Sequence, residues 1–126
     1  MMPNVQAIDF IYIFTTDFER SVAFYRDVLG LIPGKTYVRV PGMEFDAGNV
    51  TIVVVESAAV GIEFTPNTHP IAFRVENVAA EQSRLESLGV HFTQSLDTGV
   101  CHMALFDDPD GNRLMLHLRY ADEDAD

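Results

Sequence analysis

The 126-residue sequence contains the same order of elements twice, and this internal repeat restricts its fold more than any other feature. In each half, a short run of β-branched and aromatic residues precedes an amphipathic helix, and three further short strands follow. Asp17 and Asn77 stand at corresponding helix starts, while Gly30 and Gly89 stand at corresponding helix ends. The repeat predicts two βαβββ modules and therefore an α+β fold.

We expect a single domain over residues 1–120, followed by an acidic tail over residues 121–126 that is disordered. Module one is predicted at about 6–56, the connection at 57–68 and module two at about 69–119. The first helix begins either at a capping box of Thr16 with Glu19 or at Asp17 as the N-cap. The predicted strands are 7–15, 35–40, 43–46 and 50–56 in module one, and 69–76, 90–95, 101–106 and 113–118 in module two.

Charge and composition exclude several classes of partner. The net charge of −11 argues against nucleic acid, because phosphate binding needs a basic face. The longest apolar runs, such as residues 50–55, are far shorter than the roughly 20 residues of a membrane span. The single cysteine, Cys101, cannot form an internal disulfide, and the N-terminus lacks the pattern of a signal peptide. These features predict a cytoplasmic protein with no membrane partner.

Three motifs resemble a known family. Residues 17–31 (DFERSVAFYRDVLGL) resemble the first-helix signature of the glyoxalase, bleomycin-resistance and extradiol-dioxygenase superfamily, also called the vicinal oxygen chelate superfamily. Residues 71–75 (IAFRV) resemble its second-module opening strand, and residues 108–112 (DPDGN) resemble its final hairpin. The resemblance covers nearly the whole chain except the acidic tail. It implies a curved mixed sheet around a cleft, a small-molecule ligand and a homodimer.

The resemblance also locates the positions that hold a metal ion in many relatives. Those relatives carry His or Glu ligands on the first and fourth strands of each module, which correspond here to Phe10, Ile52, Pro70 and Met115. Three of these side chains have no donor atom, and the soft thioether of Met115 suits copper(I) better than zinc, iron or manganese. We therefore predict no metal and no cofactor, as in the metal-free bleomycin-resistance proteins that sequester a drug.

Strand alternation extends the predicted cleft beyond those four positions. Side chains at steps of two should share the cleft face, and those between them should face the helices. The predicted ligand-binding residues are Phe10, Tyr12, Ile52, Glu56, Arg74, Cys101, Met103, Arg113, Met115 and His117. Phe14, Val54, Pro70, Ala72, Leu105 and Arg119 are expected on the same face. The predicted helix-facing residues are Val53, Val55, Ile71, Phe73, Val75, Leu114 and Leu116, while His102 and Ala104 point away from the cleft.

The leading functional hypothesis is metal-independent binding of a small apolar or aromatic molecule, such as sequestration of a drug or metabolite. One alternative is an enzyme of the same superfamily, a lyase, isomerase or dioxygenase. It would use His117 and Glu56 for acid–base chemistry, or an irregular metal site that includes His69. Another alternative is a structural or regulatory dimer whose cleft is filled by its own side chains.

Overall fold

The computed structural model describes residues 4–122, so residues 123–126 of the predicted acidic tail lie outside the described part. The chain divides into two compact units, with the boundary between Thr65 and Pro66. Each unit contains one four-stranded mixed sheet and one α-helix, which confirms the prediction of two βαβββ modules in an α+β fold. No helix within the described residues is long and apolar enough to cross a membrane.

Module one has its strands in the order β1-β4-β3-β2. Strand β1 runs parallel to β4, and the other neighbouring strands are antiparallel. The helix α1 continues through a π-helical turn over Phe24–Val28, and a short 3-10 helix at Ser57–Val60 follows the last strand. The elements are β1 (Phe10–Thr15), α1 (Phe18–Ala23), β2 (Ile32–Thr36), β3 (Gly42–Asp46) and β4 (Thr51–Glu56).

Module two repeats this arrangement with the strand order β5-β8-β7-β6. Strand β5 runs parallel to β8, and the remaining pairs are antiparallel. The elements are β5 (Ile71–Arg74), α2 (Val78–Ser87), β6 (Phe92–Asp97), β7 (Cys101–Asp107) and β8 (Arg113–Arg119).

Both helices begin at the polar residues that the repeat indicated. The side chain of Asp17 accepts a hydrogen bond of 3.2 Å from the backbone N–H of Arg20, which makes Asp17 the N-cap. The side chain of Asn77 caps α2 in the same way, through the N–H of Ala80 at 3.0 Å. Each cap satisfies a backbone donor that has no partner inside its helix.

Strand β2 differs from the sequence prediction because the turn after it lies earlier than expected. The backbone N–H of Tyr37 donates to the carbonyl of Gly42 at 2.8 Å and closes the hairpin there. Residues 38–41 therefore form the turn, although Val38 and Val40 suggested a strand at 35–40. Strand β2 occupies Ile32–Thr36 instead.

Candidate functional site

The two faces of the module-one sheet are defined by its strand register. Tyr12 of β1 lies opposite Val53 of β4, and Val53 lies opposite Glu44 of β3. Directly paired residues point to the same face, so these three side chains form one row across the sheet. Phe45 points to the other face, where its ring lies 6.2 Å from that of Tyr25 in the helical segment. The face turned away from the helix, called the helix-free face below, carries Phe10, Tyr12, Phe14, Gly42, Glu44, Asp46, Thr51, Val53 and Val55.

The predicted orientation of β4 is wrong. Ile52 lies opposite Ile11 and Phe45, on the helix side, and Val54 shares that side. Glu56 pairs with Thr15 and also falls on the helix side. Val53 and Val55, predicted to face the helix, lie on the helix-free face. The error has a physical cause: residues 52–55 are all at most 2% exposed, so alternation of apolar and polar residues carries no information about their orientation.

Three aromatic side chains line β1 on the helix-free face. The rings of Phe10 and Tyr12 meet edge-on with centroids 4.9 Å apart, and the rings of Tyr12 and Phe14 stack at 5.7 Å. Phe10 is 47% exposed and Tyr12 is 51% exposed. The predicted orientation of Phe10 and Tyr12 away from the helix is therefore confirmed, while their contact with a ligand stays a prediction. We call these three residues the aromatic ladder.

A tyrosine–glutamate pair that sequence reasoning missed lies on the same face. The hydroxyl of Tyr37 donates a hydrogen bond of 2.9 Å to Oε2 of Glu44. Burial of the hydroxyl, followed by the hydrogen bond and charge of Glu44 and by the nearby Tyr12, raises the pKa of Tyr37 to about 12. The phenol therefore keeps its proton near neutral pH and acts as a hydrogen-bond donor. The hairpin closure at Gly42 brings Tyr37 and Glu44 together, and no sequence motif indicates this contact.

In module two the predicted orientation is confirmed by the strand register. Met115 lies opposite Ala72 and Leu105, and His117 lies opposite Arg74 and Met103. The other face is turned toward α2, because Oγ of Ser95 donates a hydrogen bond of 3.1 Å to Oε1 of Gln82 in this helix. Ser95 pairs with Ala104, and Ala104 pairs with Leu116. The helix-free face of module two carries Ala72, Arg74, Cys101, Met103, Leu105, Asp107, Arg113, Met115, His117 and Arg119.

The polar side chains predicted for module two have different surroundings. Nε of Arg113 bonds Oδ1 of Asp107 at 2.8 Å, so this guanidinium is already paired. His117 is half-buried, Arg74 is exposed, and Cys101 is buried opposite Arg119. The ligand-binding roles of these residues stay predictions.

The positions that correspond to metal ligands in relatives hold side chains that are poor ligands for hard cations. Three of these positions are occupied by Phe10, Pro70 and Met115, whose side chains carry no nitrogen or oxygen donor. On β4, Ile52 faces the helix, so the residues on the helix-free face near this position are Thr51 and Val53. Thr51 lies opposite Phe10 and offers only a neutral hydroxyl, and Val53 offers no donor atom. Among residues 4–122, no three His, Cys, Asp or Glu side chains are grouped so that they could hold a metal ion. His69 is exposed ahead of β5, where its backbone N–H bonds the side chain of Asn67.

Solved structures with the same fold include binding proteins and enzymes. TnmS3, an antibiotic binding protein from Streptomyces sp. CB03234, is 20% identical with a TM-score of 0.79, over 93% of this chain and 98% of that chain. A glyoxalase family protein from Bacillus anthracis is 22% identical with a TM-score of 0.79, over 94% and 99% of the two chains. Lactoylglutathione lyase from Agrobacterium tumefaciens is 19% identical with a TM-score of 0.74, over 91% and 95%.

A comparison with curated protein sequences finds no match. The family description "Glyoxalase/Bleomycin resistance protein/Dioxygenase superfamily" matches residues 7–116, which include module one and module two as far as the middle of β8. The match agrees with the motifs of the sequence and with the repeated βαβββ topology. The chain therefore belongs to the glyoxalase, bleomycin resistance protein and dioxygenase superfamily.

Proposed function

We propose that this protein binds a small aromatic or apolar molecule, without a metal ion, against the helix-free face of module one. The observation that carries the proposal is the aromatic ladder. Large aromatic side chains that stay about half exposed on a regular strand leave apolar surface in water, and a ligand that covers it gains free energy.

The ladder stands on a rigid base, which favours binding without large rearrangement. Strand β4 lies beside β1, and its residues Val53 and Val55 are 1% and 2% exposed. Alternate residues on a strand lie about 7 Å apart, so neighbouring rings can contact different parts of one flat ligand. Because the backbone beneath them is fixed by pairing, little ordering entropy is lost when a ligand binds.

Metal independence is supported by the chemistry of the side chains at the former ligand positions. Phe10, Val53 and Pro70 offer no lone pair, and Met115 offers only a soft sulfur. Of the structural relatives described above, the antibiotic binding protein fits this proposal best. The homodimer and the cytoplasmic location stay predictions.

The orientation of Glu56 argues against the enzyme alternative. Acid–base catalysis by Glu56 requires its carboxyl group to face the ligand, but Glu56 shares the helix side of its sheet with Thr15. His117 remains on the helix-free face of module two, so a catalytic role for His117 would need a different partner.

The decisive experiment compares two truncations of exposed apolar side chains. Tyr12→Ala removes the centre of the ladder, and Leu88→Ala removes a side chain of similar exposure, 52%, just beyond α2. A library of aromatic metabolites and antibiotics is screened by thermal shift, and each hit is quantified by calorimetry with and without a chelator. We expect at least one ligand that raises the melting temperature of the wild type and of Leu88→Ala. Its affinity should fall at least ten-fold in Tyr12→Ala.

Three results would contradict the proposal. Binding that disappears with the chelator would establish metal dependence. Equal affinity in wild type and Tyr12→Ala would place the ligand elsewhere. If no compound binds and Tyr12→Ala instead converts a dimer to a monomer in light scattering, the ladder is a subunit contact, as the structural-dimer alternative requires.

A further inference from the structure

The row of Tyr12, Val53 and Glu44 brings an aromatic ring and a carboxylate to opposite sides of one short side chain. All three point to the helix-free face, from β1, β4 and β3 respectively. Neighbouring strands lie about 4.8 Å apart, so the backbones of β1 and β3 are separated by roughly 10 Å. A single aromatic ring with a short polar arm spans such a distance.

Of the two carboxylate oxygens of Glu44, Oε2 is hydrogen-bonded within the module, and Oε1 could accept a hydrogen bond from a ligand. Oε2 accepts the hydroxyl of Tyr37 at 2.9 Å, which fixes the orientation of the carboxylate. Within the described residues, Glu44 forms no ion pair, and Oε1 accepts no hydrogen bond. Carboxylate oxygens that are partly withdrawn from water bind charged donors more strongly than neutral ones.

The surroundings of Glu44 are acidic and provide space. An open depression of about 390 Å³ within module one is lined by Glu44, Asp46, Asp9 and Thr51, among other residues, and no Lys or Arg lines it. None of the three ladder residues lines this depression, so only the cationic end of a ligand would occupy it. This volume lies in the range of small-molecule sites, about 300–1,000 Å³. The carboxylates favour a positively charged occupant, yet they are not grouped closely enough to ligate one metal ion. An organic cation meets both conditions.

We propose that the ligand of this face is an aromatic molecule that carries a cationic amine, with its ring against Tyr12 and its ammonium group on Oε1 of Glu44. The inference rests on the proposed function and adds the charge of the ligand and the residue that selects it. Tyr37 is a positioning residue, because it holds the carboxylate and does not itself need to contact the ammonium group. The rings of the ladder add cation–π attraction when the amine lies over a ring face.

The test uses three probes that differ mainly in charge: 2-phenylethylamine, 2-phenylethanol and 3-phenylpropionate. Binding to the full chain is measured by NMR titration, which locates the contact and tolerates weak affinity. We expect the amine to bind about ten-fold more tightly than the alcohol, and the carboxylate probe to bind more weakly than either. Added salt should weaken only the binding of the amine.

Variants then assign the preference to Glu44. Glu44→Gln keeps the shape and can still accept from Tyr37, so it should lower the affinity for the amine to that for the alcohol. Tyr37→Phe should cause a smaller loss, because the carboxylate remains but is no longer held. Glu86→Gln, at an exposed position in α2 of the other module, removes the same charge and should leave the affinity for the amine unchanged within two-fold.

The outcomes separate this inference from the proposed function. If the alcohol and the amine bind equally to the ladder, or if Glu44→Gln behaves like Glu86→Gln, the preference for a cation is wrong while aromatic binding stands. If none of the probes shifts resonances of Tyr12 or its neighbours, both the inference and binding at this face are wrong.

Discussion

The ring of Tyr37 lies directly over Gly42, so closely that a Cβ added to the glycine would come within 2.5 Å of Cδ2 of the tyrosine. Gly42→Ala should therefore displace the ring and break its hydrogen bond to Glu44. We expect the free energy of unfolding to fall by about 1–3 kcal/mol, the usual cost of forcing an extra methyl group into a packed site. Urea denaturation of the wild type and the variant measures this loss.

A double-mutant cycle controls for other effects of the alanine. In the background of Tyr37→Ala the obstructing ring is absent, so Gly42→Ala should cost much less than in the wild type. Equal costs in the two backgrounds would mean that the penalty arises from the backbone of Gly42 and not from its contact with Tyr37.

The raised pKa of Tyr37 makes stability depend on alkaline pH. Burial and the bond to Glu44 raise this pKa from its ordinary value of 10 to about 12, so the folded state holds the phenol proton more tightly than the unfolded state. The resulting stabilisation is complete below pH 10 and is lost as the pH rises through about 12. In Tyr37→Phe this loss should be absent.

Two measurements check this behaviour. Absorbance of the phenolate in the near ultraviolet should show a tyrosine that titrates near pH 12 in the wild type and is lost in Tyr37→Phe. Tyr120, whose pKa is also raised by its hydrogen bond to Asp97, should titrate late in both proteins. Denaturation curves at several alkaline pH values should show the matching loss of stability. A tyrosine at position 37 that ionises at its ordinary pKa would contradict the hydrogen bond described here.

The last hairpin of module two should be much more sensitive to truncation than its counterpart in module one. Nδ2 of the buried Asn112 donates to Oδ2 of Asp108 at 2.9 Å, and its Oδ1 accepts the N–H of Asn67 at 2.9 Å. Asn112→Ala removes both bonds and should cost about 1–3 kcal/mol. The repeat offers a matched control, since Asn49 occupies the corresponding position and is exposed. Asn49→Ala should change stability by no more than about 0.5 kcal/mol, and equal effects would refute the role of Asn112.

A hydrogen-bonded cluster at the end of β6 should shift the titration of Asp97. The N–H of Gly99 and then the hydroxyl of Tyr120, at 2.8 Å from Oδ1, hold the pKa of Asp97 below its usual range. Tyr120→Phe should raise this pKa partway, because the bond from Gly99 remains. Carboxyl NMR titration measures the change, with Asp27, whose pKa is lowered by Arg26, as the reference that should not move. An Asp97 that titrates identically in the variant would show that the hydroxyl contributes nothing.

Local sequence signals predicted the elements well where each signal had a single physical reading. Asn77 identified the start of α2 in this way. The start of α1 was left open between Thr16 and Asp17, because both neighbouring side chains can accept a capping hydrogen bond, and the structure assigns it to Asp17. Strand β2 was misplaced because Val38, which is 98% exposed, has high strand propensity but lies in a turn set by the hairpin closure. Closure depends on pairing with β3, and local propensity does not contain that information.

The same difference between local signals and strand pairing explains which residues of the candidate site were predicted correctly. In module two, the cleft position that the family resemblance implies for Met115, extended by strand alternation, predicted the faces of Leu114, Met115 and His117 correctly. The interior of strand β4, residues 52–55, offered only apolar residues, so its orientation had to come from its register with β1. The Tyr37–Glu44 pair depends on the absence of a side chain at Gly42, because the ring of Tyr37 packs directly on this glycine once the strands are paired.

The burial of β4 on both of its faces has a consequence for how such a module can change over time. Ile52, Val53, Val54 and Val55 are each at most 2% exposed, so larger or charged replacements at these positions would disturb the interior. New chemical preferences would then be acquired through the flanking strands, where a half-exposed side chain such as Tyr12 can change with less disturbance of the interior. A buried central strand with more exposed neighbours would let one architecture bind unrelated small molecules.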